Sequence, residues 1–291
     1  MRIRPYLELI RPPNLVTAAA DPLAGFLVAG GAMHRYDTIV PLMVVSVCLY
    51  AAGVVLNDVC DAQRDRESRP ERPIPSGRID ARHAMRFACL LFAVGLTAAW
   101  ITAPIVGGVA TSLIVAIVSY DTVLKKTILA PGAMGLCRAL NLSLGLCAMD
   151  PLPSTWVVVL PAALVWLYIS SVTLFARAES GVSKSPVLIA ALVGLTTAIV
   201  GQAFLHPLFG SRHIDQLVFL ALLAAVSVRR GYRAIKDPRP AVVQAAVGAL
   251  VIGLLFFDAS LVWMANGPVA AALPAALIVP AMLLARFFRV S

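Results

Sequence analysis

Runs of about twenty apolar residues recur along the whole of this chain, and charged residues are nearly confined to the stretches between them. A run of that length spans the roughly 30 Å of bilayer hydrocarbon as a helix, with every backbone group bonded inside the segment. Ten segments fit: 14–31, 39–57, 86–103, 105–120, 132–149, 155–175, 187–205, 215–228, 241–262 and 268–285. The eighth and tenth are short, and Pro274 and Pro280 interrupt the last, so the expectation is nine to ten spans. The predicted fold class is all-α, a polytopic transmembrane helical bundle. Charged residues make up 13% of the 291, about half the share of a soluble domain, which excludes an ordinary soluble core. No soluble domain, low-complexity tract or long linker stands out, so residues 1–291 read as one transmembrane domain. Met1–Pro13 is basic and lacks an apolar h-region, so no cleavable signal is expected.

A net charge of +9 invites a nucleic-acid reading, and the position of the charges argues against it. Numbering the loops alternately puts 21 of the 24 basic residues on one side of the membrane. Arg35 and Arg212 fall on the other side, and Arg138 lies inside the fifth segment. The positive-inside rule makes the first side cytoplasmic, with both termini there. The basic residues set topology, and the partner they imply is the lipid bilayer, not nucleic acid.

One loop carries more than topology. Asn57, Asp61 and Asp65 follow the second segment at i, i+4 and i+8, so in a helix their side chains share one face at the mouth of a span. Asp58 points about 100° away, toward packing or a supporting contact. Seven arginines run from Arg64 to Arg86 inclusive. Pro70, Pro73, Pro75 and Gly77 end the helix and turn the chain back, and Asp80 is placed to cap the next helix at Ala81. A charged loop fixing topology accounts for the arginines. It does not account for three oxygen-bearing side chains at four-residue spacing in a chain with 15 acids. Hard oxygen ligands beside guanidinium groups suit a magnesium-bound diphosphate.

The run Asn57-Asp-x-x-Asp61-x-x-x-Asp65, followed by Arg72-Pro-x-Pro-x-Gly77, resembles the first aspartate-rich motif of the UbiA superfamily of intramembrane prenyltransferases. Leu9-Ile-Arg11-Pro12, Tyr120 with Lys125, and Gly135-Leu-Cys-Arg138-Ala-Leu-Asn141 extend the likeness, and the last looks most like the EboC-like branch. The resemblance implies a helical bundle around a central cavity with a cytoplasmic polar mouth, binding a polyprenyl diphosphate donor through Mg²⁺. It implies transfer of the prenyl group to an acceptor, often an aromatic ring. Carried over by position, Asn57, Asp61 and Asp65 hold Mg²⁺. Arg11, Arg72 and Lys125 meet phosphate oxygens, Asp58 supports them, and Tyr120 stabilises the cation or the departing diphosphate.

The sequence also departs from the family. Where a second Asp-x-x-x-Asp motif is expected after the sixth span, this chain reads Phe175-Ala-Arg177-Ala-Glu179-Ser-Gly181. One expectation is that Arg177 substitutes a fixed cation for the missing metal, with Glu179 as its partner or a lone ligand. The alternative is a non-transferring membrane protein that binds or helps export a small metabolite.

Arg138 and Asn141 lie inside the fifth segment, where a charge is expensive against lipid. Arg138 is expected to face the cavity as an anion contact or to pair with an acid. Asn141 is expected to touch the acceptor or to bond between helices. Asp21 and Asp258 are candidate partners for Arg138 or helix-break caps, and Asp121 is expected to pair with Lys125 at i, i+4. The five cysteines show no metal-like spacing and read as packing residues.

Overall fold

The computed structural model describes residues 3–177 and 185–287. Among them every regular element is a helix. The helices are α1 (Arg4–Ile10), α2 (Pro12–Val28), α3 (Tyr36–Cys60), α4 (Ala62–Ser68), α5 (Ala81–Thr102), α6 (Pro104–Thr122) and α7 (Ala130–Leu146). They continue as α8 (Thr155–Arg177), α9 (Ser185–Ala203), α10 (Asp215–Lys236), α11 (Pro240–Asn266), α12 (Pro268–Ala276) and α13 (Ile278–Phe287). Local chemistry sets several of the boundaries. Prolines open α2, α6, α7, α11 and α12, where the missing N–H has no partner to lose. Asp80 caps α5 by accepting the Arg82 N–H at 2.8 Å.

Each of the ten apolar segments lies in this helix series. Among the described residues seven helical stretches are long and apolar enough to cross a membrane: α3, α5, α6, α8, α9, α11 and the α12–α13 pair. Helices α2 and α7 have 17 residues each, at the lower end of a spanning length. The last turns of α10 carry Arg229, Arg230, Arg233 and Lys236. Helices α3 and α5 to α12 pack each on the next in chain order, apart from the short α4.

Helix α2 runs through the middle, against α3, α7, α11 and α13, and 13 of its 17 residues are buried. It meets α7 backbone to backbone. A Cβ built on Gly25 would stand 2.2 Å from the Leu142 carbonyl oxygen, and one on Gly145 would stand 1.9 Å from that of Pro22. Only glycine admits that approach. Pro22 has no N–H to give the Ala18 carbonyl one turn back. The Ala18 oxygen instead accepts from the Ser46 hydroxyl of α3 at 2.8 Å and the Asn141 amide of α7 at 2.9 Å. A proline thus turns a helical acceptor into a junction for three helices. A groove of about 510 Å³ between α6 and α7, lined by Thr111, Ser112, Val115, Ser119, Leu136 and Leu140, lies opposite the buried face of α6.

Candidate functional site

The mouth is built where α3, α6 and α1 end. Helix α3 stops at Cys60 and α4 begins at Ala62, yet the register carries across Asp61. Asp61 N–H donates to the Asn57 carbonyl and Asp65 N–H to that of Asp61, both at 2.9 Å. Asn57, Asp61 and Asp65 therefore keep four-residue spacing on one side of a nearly continuous helix.

A basic residue meets each of them. Lys125, in the short turn after α6, places its Nζ 3.0 Å from Asn57 Oδ1 and 2.9 Å from Asp61 Oδ1. Arg72 donates through Nη1 to Asp65 Oδ2 at 2.7 Å and to Asp58 Oδ1 at 3.4 Å. Arg11 donates to the same Asp58 oxygen at 2.6 Å. Asp58 is thus more than a packing residue. Its side chain is 4% exposed and links two arginines that sequence reading assigned to phosphate.

Two local features aim these arginines. The 69–79 loop folds back over the helix ends, where Ile74 and Ile79 pack with Leu9, Val55, Ala84 and Ala88. That apolar patch holds Arg72 in a loop at only 6% exposure. Arg11 lies between α1 and α2 with φ 52°, the one left-handed non-glycine among the described residues. The αR region is disfavoured before Pro12, and a left-handed arginine stores strain of about 1–3 kcal/mol. That kink directs the guanidinium to Asp58.

The other predicted residues fall as follows. Tyr120 sits half-buried at the end of α6, and its hydroxyl has no hydrogen-bond partner among the described residues. Arg177 donates to the Thr127 carbonyl at 2.7 Å, tying the end of α8 to the turn that carries Lys125. Glu179 lies outside the described residues. Arg138 reaches Asp21 at 2.9 Å and lies over the Tyr50 ring at 5.7 Å, while Asn141 donates to Asp21 at 2.7 Å. These two form an interhelical network with an acid, the second of the two arrangements considered for each. Asp258 is fully buried.

The expected Asp121–Lys125 pair is a correction. Among the described residues Asp121 makes no ion pair, because Lys125 extends across to α3 instead. The five cysteines are all free.

Among the described residues no three His, Cys, Asp or Glu side chains stand close enough to hold a metal unaided. Mg²⁺ rarely needs three, since one or two carboxylates usually suffice beside phosphate oxygens. Asn57 and Asp61 already converge on one cation, the Lys125 ammonium, and Asp65 follows one turn on. This donor set fits Mg²⁺.

Fold and site together define a polytopic helical membrane protein with an acid-lined, arginine-clamped mouth at one end. Residues 22–247 match the UbiA prenyltransferase family, and the chain belongs to that family. A digeranylgeranylglyceryl phosphate synthase from Sulfolobus acidocaldarius is 41% identical over 126 residues, 43% of this chain and 46% of the relative. One from Methanopyrus kandleri is 35% identical over 163 residues, 54% of this chain and 58% of the relative. These matches span about half the length of those curated relatives. A synthase of the same name from Methanospirillum hungatei is 26% identical over 247 residues, 79% of this chain and 86% of its own. The fold matches a solved structure reported for digeranylgeranylglyceryl phosphate synthase in membranes, with TM-score 0.70 and 20% identity over 90% of this chain and 98% of that one. It also matches a UbiA homologue from Archaeoglobus fulgidus bound to DMAPP and Mg²⁺, with TM-score 0.65 and 15% identity over 94% of this chain and 99% of that one. None of these relatives bears on the likeness to the EboC-like branch.

Proposed function

We propose that this protein transfers a prenyl group from a polyprenyl diphosphate to an acceptor, with Mg²⁺ bound at the mouth. One observation carries the reading: Asn57 and Asp61 present two oxygens to a single cation, the Lys125 ammonium, while Arg11 and Arg72 converge on Asp58 beside them. The buried acids and bases nearly balance, so a diphosphate meets no strong attraction until a divalent ion tips the sum positive.

When bound, Mg²⁺ held by Asn57, Asp61 and Asp65 would supply charge stabilisation to the departing diphosphate. Lys125 releases its two α3 oxygens and turns to a phosphate oxygen. Arg11 and Arg72, held by Asp58, present guanidinium N–H groups to the others. The C–O bond of the donor breaks with its electron pair leaving on diphosphate. The allylic cation bonds to an electron pair of the acceptor, which loses a proton. The unpartnered Tyr120 hydroxyl is available to steady the cation or the leaving group, and Arg177 steadies the turn that carries Lys125. The names of the relatives suggest a prenylated glyceryl phosphate as the first acceptor to try, beside aromatic rings. The excess of basic residues on the mouth's side supports a cytoplasmic site and cytoplasmic termini.

The test is diphosphate release by purified protein with geranyl, farnesyl and geranylgeranyl donors, with and without Mg²⁺. Release should require Mg²⁺ and fall at least about 100-fold in Asp61→Ala and Asp65→Ala, which should still insert and fold. Undiminished release in chelator, or from both variants, would overturn the proposal. Donor binding without release from any donor would support the non-transferring alternative.

A further inference from the structure

Among the described residues Asp121 is the one buried acid at the mouth left without a hydrogen bond or ion pair, and its position on α6 gives that isolation a meaning. It is 4% exposed and, among the described residues, makes no hydrogen bond or ion pair. Its neighbouring charges are Lys125, Asp61 and Asp58. Lys125, the one opposite charge of the three, gives its ion pair to Asp61 and its hydrogen bond to Asn57, and the other two are like charges. The backbone adds to the imbalance. Asp121 is the penultimate residue of α6, and α3 ends at Cys60 beside Asp61. The last carbonyls of α6 therefore bring partial negative charge to the same acids. A buried carboxylate at a helix C-terminus, facing other acids, is disfavoured on all three counts. A cation bound between the two helix ends relieves all three.

We propose that Asp121 is a ligand of the divalent cation, completing from α6 the site that Asn57 and Asp61 open from α3. The inference rests on the proposed Mg²⁺-diphosphate site and assigns it a residue outside the Asn57–Asp65 motif. The ion then lies between two elements, with Lys125 displaced toward the diphosphate. No three acids stand close enough to hold it unaided, so diphosphate oxygens and water fill the remaining positions.

The probe is Mn²⁺ alone, titrated into the purified full chain and followed by electron paramagnetic resonance. Asp121→Asn should weaken Mn²⁺ binding at least about tenfold, and Asp121→Glu, which keeps a carboxylate, should stay within about threefold of the original. Wild-type affinity in Asp121→Asn, with loss in Asp61→Asn, would overturn this inference and leave the proposed function standing. Absence of Mn²⁺ binding by the unaltered protein would instead strike the proposed function. Should Asp121→Asn fail to fold, iron-directed cleavage of the unaltered chain decides. Cuts near both 57–61 and 121 support the ligand role, and cuts near 57–65 alone overturn it.

Discussion

At the scale of single residues, the mouth is organised by charges that hold one another in readiness. Asp58 accepts from both Arg11 and Arg72 on one oxygen. A buried network of this kind adds little net stability, because desolvation offsets most of the attraction, so its value lies in aiming the two guanidinium groups. Asp58→Asn would keep the shape and remove the charge. The expected outcome is a loss of about 1–3 kcal/mol in a detergent thermal melt, with a raised KM for donor, since Arg72 keeps Asp65 but Arg11 loses its described partner. A raised KM with an unchanged melt would mean that Asp58 touches the substrate itself. Lys125 makes the sharper case. Its ammonium lies between Asn57 and Asp61, so under the proposed function it would compete with metal before donor arrives and serve the donor afterwards. Lys125→Met should bind Mn²⁺ at least about tenfold more tightly without donor, yet release less diphosphate with donor. Weaker metal binding in a Mn²⁺ titration would show that the two cations do not share the place.

Among the helices, α2 and α7 decide whether the interior network can form. Their backbones meet at Gly25 and Gly145, and the contact brings Asn141 within reach of the Ala18 carbonyl that Pro22 frees. Gly145→Ala puts a methyl group against the Pro22 carbonyl, an atom that backbone bonding prevents from moving aside. The helices would separate, the Asp21–Arg138 and Asp21–Asn141 contacts would lengthen together, and stability should fall by about 1–3 kcal/mol or more. Gly108→Ala is the control, because a Cβ there meets nothing within 4 Å. It should be neutral or slightly stabilising, as alanine favours a helix over glycine. Equal melting temperatures for the two variants would rule out the close-packing account.

For the molecule as a whole, what the sequence disclosed depended on range. The helices were legible because each apolar run answers to bilayer thickness alone, and the Asn57–Asp65 spacing was legible because four-residue periodicity is a property of one helix. The 69–79 loop was not. Arg72 finds Asp58 and Asp65 only because Ile74 and Ile79 settle on Leu9 and Val55, a packing choice with no local signature. Asp121 was misassigned for a related reason: i, i+4 spacing points to Lys125, but α6 ends at Thr122, so the lysine follows a new direction toward α3. Span number is ambiguous where 17-residue helices and an arginine-rich α10 sit inside a bundle that shelters them. Orientation in the membrane rests on the basic residues that share the mouth's side. Cys60 offers a direct reading, since it is exposed and adjoins Asp61. In a chain with the other four cysteines changed to serine, a membrane-impermeant maleimide should label Cys60 in inside-out vesicles and leave right-side-out vesicles unmodified. Donor plus Mg²⁺ should slow that labelling, because a diphosphate held at Asp61 covers the neighbouring thiol. Labelling from the outside would invert the whole arrangement and carry the mouth to the opposite face, whereas inside labelling that donor fails to slow would keep the orientation and move the diphosphate elsewhere.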